Sequence, residues 1–308
     1  MAPSMSSIGV SERQPSIDWT DQRSAIDREL SALCDRYSRN LGPRLIETVR
    51  YSLLGGGKRL RGLLVLAAYR GAGGLRDAAP LAASVEVVHA YSLIHDDLPC
   101  MDDDDIRRGR PTAHRAFGVR TATVAGVAMV PVATLSAFDA ARQLGLGPRE
   151  AAEVARELMR ASGAGGMIGG QLLDLDAEGS EPTLAELERI HRAKTGALIR
   201  ASVVIGGMAA RASRAKLSAL SEYGESIGLA FQIADDVLDV TATTDRLGKT
   251  AGRDIDLAKG TYPRLLGVAG AERRASELVA QACSALRLEG LLNEELDALA
   301  HFAVERAS

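Results

Sequence analysis

Ten residues of the chain, Asp96-Asp-Leu-Pro-Cys-Met-Asp-Asp-Asp-Asp105, include six carboxylates. Two unit charges about 4 Å apart repel by roughly 4 kcal/mol at an effective dielectric of about 20. A fold that gathers them needs cations or solvent. Hard carboxylate oxygens suit Mg2+, which keeps several waters and is commonly shared with substrate phosphates. The competing reading is a solvated acidic surface run. The mostly apolar stretch Val85 to Ile94 leads straight into the acids, an entry that a surface run would not need. Pro99 lacks an N–H and breaks the helix. On an unbroken helix Asp96 and Asp102 would point about 240° apart, so the break lets the chain fold Asp102 back toward Asp96.

A second acidic cluster, Asp235-Asp-Val-Leu-Asp239, lies far downstream. Asp235 and Asp239 are four residues apart and share a helical face, with Asp236 offset by one step. Phe231-Gln232 lie one turn earlier. Alone this cluster reads as a solvated turn of helix. Two carboxylate walls on different helices could instead hold several Mg2+ ions around one diphosphate and stabilise charge on a leaving group. Basic residues sit around both clusters. Gly55-Gly-Gly-Lys-Arg-Leu-Arg61 opens a helix, where backbone N–H groups favour an anion. It is not a Walker loop, because no Ser or Thr follows Lys58. Arg107-Arg108 follow the first acidic run, Lys194-Thr195 lie mid-helix, and Lys249 and Lys259 follow the second. Any one of them alone reads as a solvated charge. His89 is seven residues before Asp96, close to the same face, and suits a phosphate contact; His95 reads as structural.

The elements that must position these groups are helices. Period-two alternation is weak and aromatic residues make up only 4% of the chain. Helical patterning covers 24–38, 45–54, 60–70, 78–98, 120–144, 148–162, 183–211 and 216–240, with two or three more helices after Pro263. Gly163 to Gly170 is Gly-rich and leads into Gln171. Thr183 and Glu186 form a capping box. The fold class is all-α: one domain over 23–308, a helical bundle around a central cavity, after a loose tail over 1–22 whose Trp19 could dock onto the body. The net charge of -3 implies no general attraction to nucleic acid or membrane. No apolar run long enough to span a bilayer is read. Three distant cysteines, Cys34, Cys100 and Cys283, suggest no disulfide framework and fit a reducing cytoplasm.

Taken in order, Gly56-Gly-Lys-Arg-Leu-Arg61, His95-Asp-Asp-Leu-Pro-Cys-Met-Asp102, Arg107-Arg-Gly-Arg-Pro-Thr112, Gly170-Gln171, Lys194-Thr-Gly196, Phe231-Gln-Ile-Ala-Asp-Asp-Val-Leu-Asp239 and Lys259-Gly-Thr-Tyr-Pro263 resemble the trans-prenyltransferases, in their bacterial farnesyl diphosphate synthase form. The motifs span about 45 to 265. The resemblance implies an isoprenoid synthase fold, a homodimer, and about three Mg2+ ions, with Mn2+ as an alternative. It implies condensation of isopentenyl diphosphate with an allylic diphosphate, dimethylallyl or geranyl. By motif position, Asp96, Asp102, Asp235 and Asp239 would serve the metals. Lys58, Arg61, His89 and Arg108 would hold isopentenyl diphosphate. Arg107, Lys194, Lys249 and Lys259 would hold the allylic diphosphate. Asp97, Thr195, Gln232 and Asp236 complete the implied catalytic set.

Tyr91, five residues before Asp96, and Ser92 are the candidate chain-length residues. By physics alone Tyr91 reads equally as ordinary core. The resemblance associates an aromatic there with a fifteen-carbon product, while the Asp-Leu-Pro-Cys-Met-Asp wording keeps a twenty-carbon geranylgeranyl product open. Two departures stand out: Val127 where the family usually carries Asp, and Gly62 where it usually carries Pro. Val127 would lower activity, alter cation choice or reshape an oligomer face; Gly62 would loosen a helix start. The rival readings are a terpene cyclase, which would not need Lys58 and Arg61, and a regulatory or partner-dependent homologue, which would commonly have lost an acidic motif.

Overall fold

The computed structural model describes residues 17–37, 42–241 and 260–305. Lys249, Lys259, the loop 245–259 and residues 1–16 of the expected tail lie outside them. Among the described residues the regular structure is helical except for one short hairpin, β1 (Ile106–Arg107) paired antiparallel with β2 (Arg110–Pro111). The helices are α1 (Thr20–Tyr37), α2 (Pro43–Leu53), α3 (Leu60–Gly71), α4 (Ala79–Asp96), α5 (Ala113–Phe117), α6 (Val119–Gln143), α7 (Pro148–Ser162), α8 (Met167–Asp176), α9 (Leu184–His191), α10 (Ala197–Ala209), α11 (Arg214–Thr241), α12 (Tyr262–Leu266), α13 (Val268–Leu288) and α14 (Glu294–Glu305). The all-α expectation holds. The first helix begins at Thr20, inside the segment read as tail, and Trp19 is buried.

Helix α4 is apolar nearly all round and is therefore interior. Leu81, Val85, Val87 and Val88 are fully buried. It packs against α1, α3 and α6, while α10 bridges α3 and α11, and α13 covers α11. The capping box opens α9 as expected: the Thr183 N–H donates to Glu186, and the Glu186 N–H donates to Thr183 Oγ1.

Two stretches differ from the sequence reading. The Gly-rich run turns only as far as Gly166; from Met167 onward it is helix α8. The stretch 183–211 is not one helix, because Arg192–Gly196 forms a π turn between α9 and α10. Glycines from two other helices press on that turn. A Cβ at Gly170 would lie 2.1 Å from the Lys194 backbone nitrogen, and one at Gly228 would lie 2.7 Å from Gly196 Cα. Single π turns inside helices often mark functional positions.

Helix α6, by length and composition, is apolar enough to cross a membrane, contrary to the sequence reading. It packs on α4, α7 and α2. Val124, Val127, Pro131 and Leu135 form an exposed stripe on it. Val127 therefore lies on an outer helix face and extends an apolar surface.

The expectation for Gly62 is also revised. Its N–H donates to Glu86 Oε1 at 2.8 Å, deep between α3 and α4. Glu86 thus satisfies a donor in the first turn of α3, which has no side-chain cap of its own. Proline would remove that donor. A hydrogen bond to a charged group contributes roughly 1.5–3 kcal/mol, more than the roughly 0.4–1 kcal/mol gained by stiffening the unfolded chain. Gly62→Pro is therefore expected to lower stability by about 1–2 kcal/mol, read as an earlier chemical-denaturation midpoint at unchanged slope.

Candidate active site

The first acidic wall forms where α4 ends. The Asp102 N–H donates to the Asp96 carbonyl at 2.9 Å, and the N–H groups of Met101 and Asp103 both turn onto the Leu98 carbonyl. The Pro99 break thus folds Asp102 back against Asp96. Burial pushes the Asp96 carboxyl up to about 6; Lys194 opposes the rise, while Asp102 and Asp97 add to it. Asp97 turns inward and is buried. Its Oδ1 accepts from Arg107 Nε at 2.9 Å and Nη2 at 2.5 Å, and Nη2 also reaches Asp104 Oδ2 at 2.9 Å. Arg107 is therefore held by acids of the same run.

The π turn links this wall to the second. Lys194 Nζ pairs with Asp174 Oδ2 at 2.6 Å. Burial lowers the Lys194 pKa, but Asp174, Asp102 and Asp96 outweigh it and the net shift is upward. The next residue, Thr195, donates from Oγ1 to Gln232 Oε1 at 2.9 Å on α11. Gln232 Nε2 donates to Asp236 Oδ1 at 3.2 Å. Two consecutive residues thus reach toward Asp96 and Asp102 on one side and the Asp235–Asp239 turn on the other. Asp235 is half-buried, and Asp236 and Asp239 are buried. The donor set is hard oxygen from carboxylates at the end of α4 and on α11, and burial already disfavours ionised Asp96. These residues fit Mg2+.

The basic groups collect beside α4. Burial holds His89 well below its usual range, and the guanidinium groups of Arg61, Arg108, Arg107 and Arg59 push it the same way. Arg108 Nη1 donates to the Gly56 carbonyl. A Cβ at Gly57, where φ is +144°, would lie 2.8 Å from that same nitrogen, so the glycine loop can lie flat on the guanidinium. Lys58 is exposed, with Nζ 5.5 Å from the centre of the Phe302 ring on α14. Arg59 is buried beside Asp27 and Glu86.

Below Asp96, Tyr91 is buried, its ring edge-on to His95 at 5.7 Å and its hydroxyl 3.4 Å from the Ser162 carbonyl. Ser92 is buried and donates to the His89 carbonyl at 2.9 Å. Asp103, Asp105 and His114 also cluster within ligand distance of one another, but Arg115 pairs with both carboxylates, which accounts for them as a hairpin tie.

Asp174 escaped the sequence reading. Its signal was available: Gln171 and Asp174 are three apart on α8, a same-face spacing, and Gln171 Nε2 lies 3.5 Å from Asp102 Oδ1. His191 escaped as well, since nothing in its own segment announces the partner on α11.

The model of the polyprenyl synthetase family matches residues 43–288. Farnesyl diphosphate synthase of Escherichia coli K12 is 48% identical over 268 residues, covering 85% of this chain and 89% of the relative. Chloroplastic geranylgeranyl pyrophosphate synthase of Catharanthus roseus is 43% identical, covering 76% of this chain and 66% of the relative. Among solved structures, geranyltransferase of Helicobacter pylori, complexed with magnesium and isoprenyl diphosphate, superposes with a TM-score of 0.74 at 30% identity, over 96% of this chain and 98% of that one. With a family match across most of its length, and the π turn lying between the two acidic motifs, the chain belongs to the polyprenyl synthetase family.

Proposed function

We propose that the protein is a Mg2+-dependent trans-prenyltransferase that condenses isopentenyl diphosphate with dimethylallyl or geranyl diphosphate to give farnesyl diphosphate. The observation that carries this reading is the pair Lys194-Thr195, adjacent in sequence: Lys194, paired with Asp174, feels the charges of Asp102 and Asp96, and Thr195 donates to Gln232, which donates to Asp236 of the second motif. The farnesyl synthase of E. coli at 48% identity supports the fifteen-carbon product. The geranylgeranyl synthase at 43% keeps twenty carbons as the alternative.

In this reading Asp96, Asp102 and Asp235, supported by Asp239 and Asp97, hold Mg2+, which supplies counter-charge to a departing diphosphate. Lys194, Arg107, Lys249 and Lys259 bind the allylic diphosphate. Lys58, Arg61, His89 and Arg108 bind isopentenyl diphosphate. His89, kept neutral by its surroundings, contributes hydrogen bonds while the arginines contribute charge. The allylic C–O bond breaks with its electron pair leaving on the diphosphate. The isopentenyl double bond then attacks the allylic cation, and the proton lost from the new cation goes to the released diphosphate. Thr195 Oγ1, its O–H donating to Gln232 Oε1, keeps lone pairs to face the cation. The buried faces of α4 and α6 exclude water, which would quench it.

Residues 23–308 act as one domain in this reading. The exposed stripe Val124, Val127, Pro131 and Leu135 supports a homodimer, and the free cysteines support a cytoplasmic location. Tyr91 stands as the floor of the chain pocket. Tyr91→Ala is expected to shift the main product from fifteen to twenty carbons or longer, since each added methylene-sized group gains about 0.8 kcal/mol on burial. Unchanged products by mass spectrometry would remove the ring as the stop. The reading itself is tested by incubating purified protein with isopentenyl diphosphate and five-, ten- or fifteen-carbon allylic diphosphates, with and without Mg2+. Farnesyl diphosphate formed only with the metal is expected; no condensation product from any partner refutes it.

A further inference from the structure

Asp236 belongs to the second acidic motif, yet its carboxylate faces protein. It is buried, and both of its oxygens are engaged. Oδ1 accepts from Gln232 Nε2 at 3.2 Å. Oδ2 accepts from the Tyr262 backbone N–H at 3.1 Å and lies 3.4 Å from His191 Nε2. The His191 and Tyr262 rings stack at 5.8 Å with an interplanar angle of 19°. Tyr262 is fully buried, and its strap is tight: a Cβ at Gly260 would lie 2.3 Å from Pro182. His191 is the last residue of α9, and the π turn bearing Lys194 and Thr195 follows directly. Segments from three parts of the chain, 191–196, 232–236 and 260–262, therefore meet at one carboxylate.

We infer that Asp236 is a brace and not a metal ligand, and that His191 and Tyr262 are positioning residues that set the second acidic wall through it. Three observations point the same way. A buried carboxylate whose two oxygens each accept a hydrogen bond, one from an amide and one from a backbone N–H, with an imidazole 3.4 Å away, is turned away from an ion. Successive helical residues differ by about 100°, so locking Asp236 inward fixes the direction in which Asp235 and Asp239 point. The same lock passes through Gln232 to Thr195, joining the wall to the π turn. Supporting contacts of this kind hold ligating carboxylates in register.

This inference rests on the metal-dependent reading above, and its test separates the two. In metal-free protein, amide hydrogen exchange of peptides covering 260–262 is expected to speed up at least tenfold in Asp236→Ala and to stay near wild type in Asp236→Asn, which can still accept from the Tyr262 N–H. In turnover, Asp236→Asn should stay within about fivefold of wild type, whereas Asp235→Asn should raise the half-saturating Mg2+ concentration by tenfold or more. His191→Leu should raise that concentration about fivefold and lower kcat/KM for the allylic substrate about tenfold, with KM for isopentenyl diphosphate unchanged. His191→Gln, which restores a donor near the Nε2 position, should recover most of the loss.

The brace is overturned if Asp236→Asn is as impaired in Mg2+ dependence as Asp235→Asn. It is equally overturned if exchange at 260–262 is indifferent to Asp236→Ala. A general packing role for His191 would lower both substrates' parameters together, with Gln no better than Leu. If wild-type protein condenses nothing, the catalytic reading fails while the exchange result still decides whether the brace exists.

Discussion

Asp96→Asn is expected to leave an inactive but more stable protein. The carboxylate stands at the end of a buried helix, and burial with the nearby Asp102 and Asp97 raises its pKa from 3.8 to about 6. The folded state therefore binds this proton more tightly than the unfolded state. The group's contribution is most favourable below about pH 4 and declines as pH rises through 4 to 6, and above 6 the full cost of the charge remains. Two pKa units correspond to about 3 kcal/mol at most. In metal-free protein at pH 7.5, Asp96→Asn should raise Tm by about 4–6 °C, at roughly 2 °C per kcal/mol for a chain of this size. It should also flatten the fall in stability between pH 4 and 6. Activity should drop on the order of 10³-fold, as expected when a group stabilising leaving-group charge is removed. Added Mg2+ should raise the Tm of wild type more than that of the variant. A variant that is less stable than wild type at pH 7.5 without metal would contradict this account of Asp96.

Gly170→Ala carries the second large expected effect. The new Cβ would lie 2.1 Å from the Lys194 nitrogen, 2.5 Å from its Cα and 2.6 Å from the Ala193 carbonyl carbon. These are backbone atoms and cannot swing aside. Helix α8 and the π turn must separate, pulling Lys194 from Asp174 and Gln171 from Asp102. Overpacking of this kind costs about 1–3 kcal/mol, and a displacement near 1 Å at a reacting centre can cost about 10²-fold in rate. Gly165, where a Cβ meets nothing within 4 Å, is the control. Gly165→Ala should behave as wild type in both melting and turnover. Equal behaviour of the two variants would mean that α8 and the π turn are not closely coupled.

The chemistry of the site was more legible in the sequence than its geometry. The acidic runs, the proline between Asp96 and Asp102 and the glycine loop before Arg61 announce themselves through residue type and local spacing. The return of Asp102 onto Asp96 followed because it is a consequence of a single proline. What the sequence concealed depends on contacts between distant segments. The π turn at 192–196 arises where glycines of α8 and α11 press on it, so the pattern around Lys194 alone reads as unbroken helix. Gly62 read as a weak helix start because its partner Glu86 is 24 residues away. Val127 left lower activity, altered cation choice or a reshaped oligomer face open, and its exposure on α6 beside Val124 and Leu135, which only the packed helix reveals, accords with the last. Asp236 read as one acid among three because the groups its carboxylate faces, the Tyr262 N–H and His191, lie outside the motif.

The central claim is that two acidic walls from distant parts of the chain grip one diphosphate. The most direct test is a crystal structure with Mn2+ and inorganic diphosphate, with anomalous scattering to locate the ions. Mn2+ on Asp96 and Asp102, further Mn2+ on Asp235, and a single diphosphate contacting both sets is the expected result. Ions on one wall alone, or a diphosphate bound away from Lys194, would contradict it.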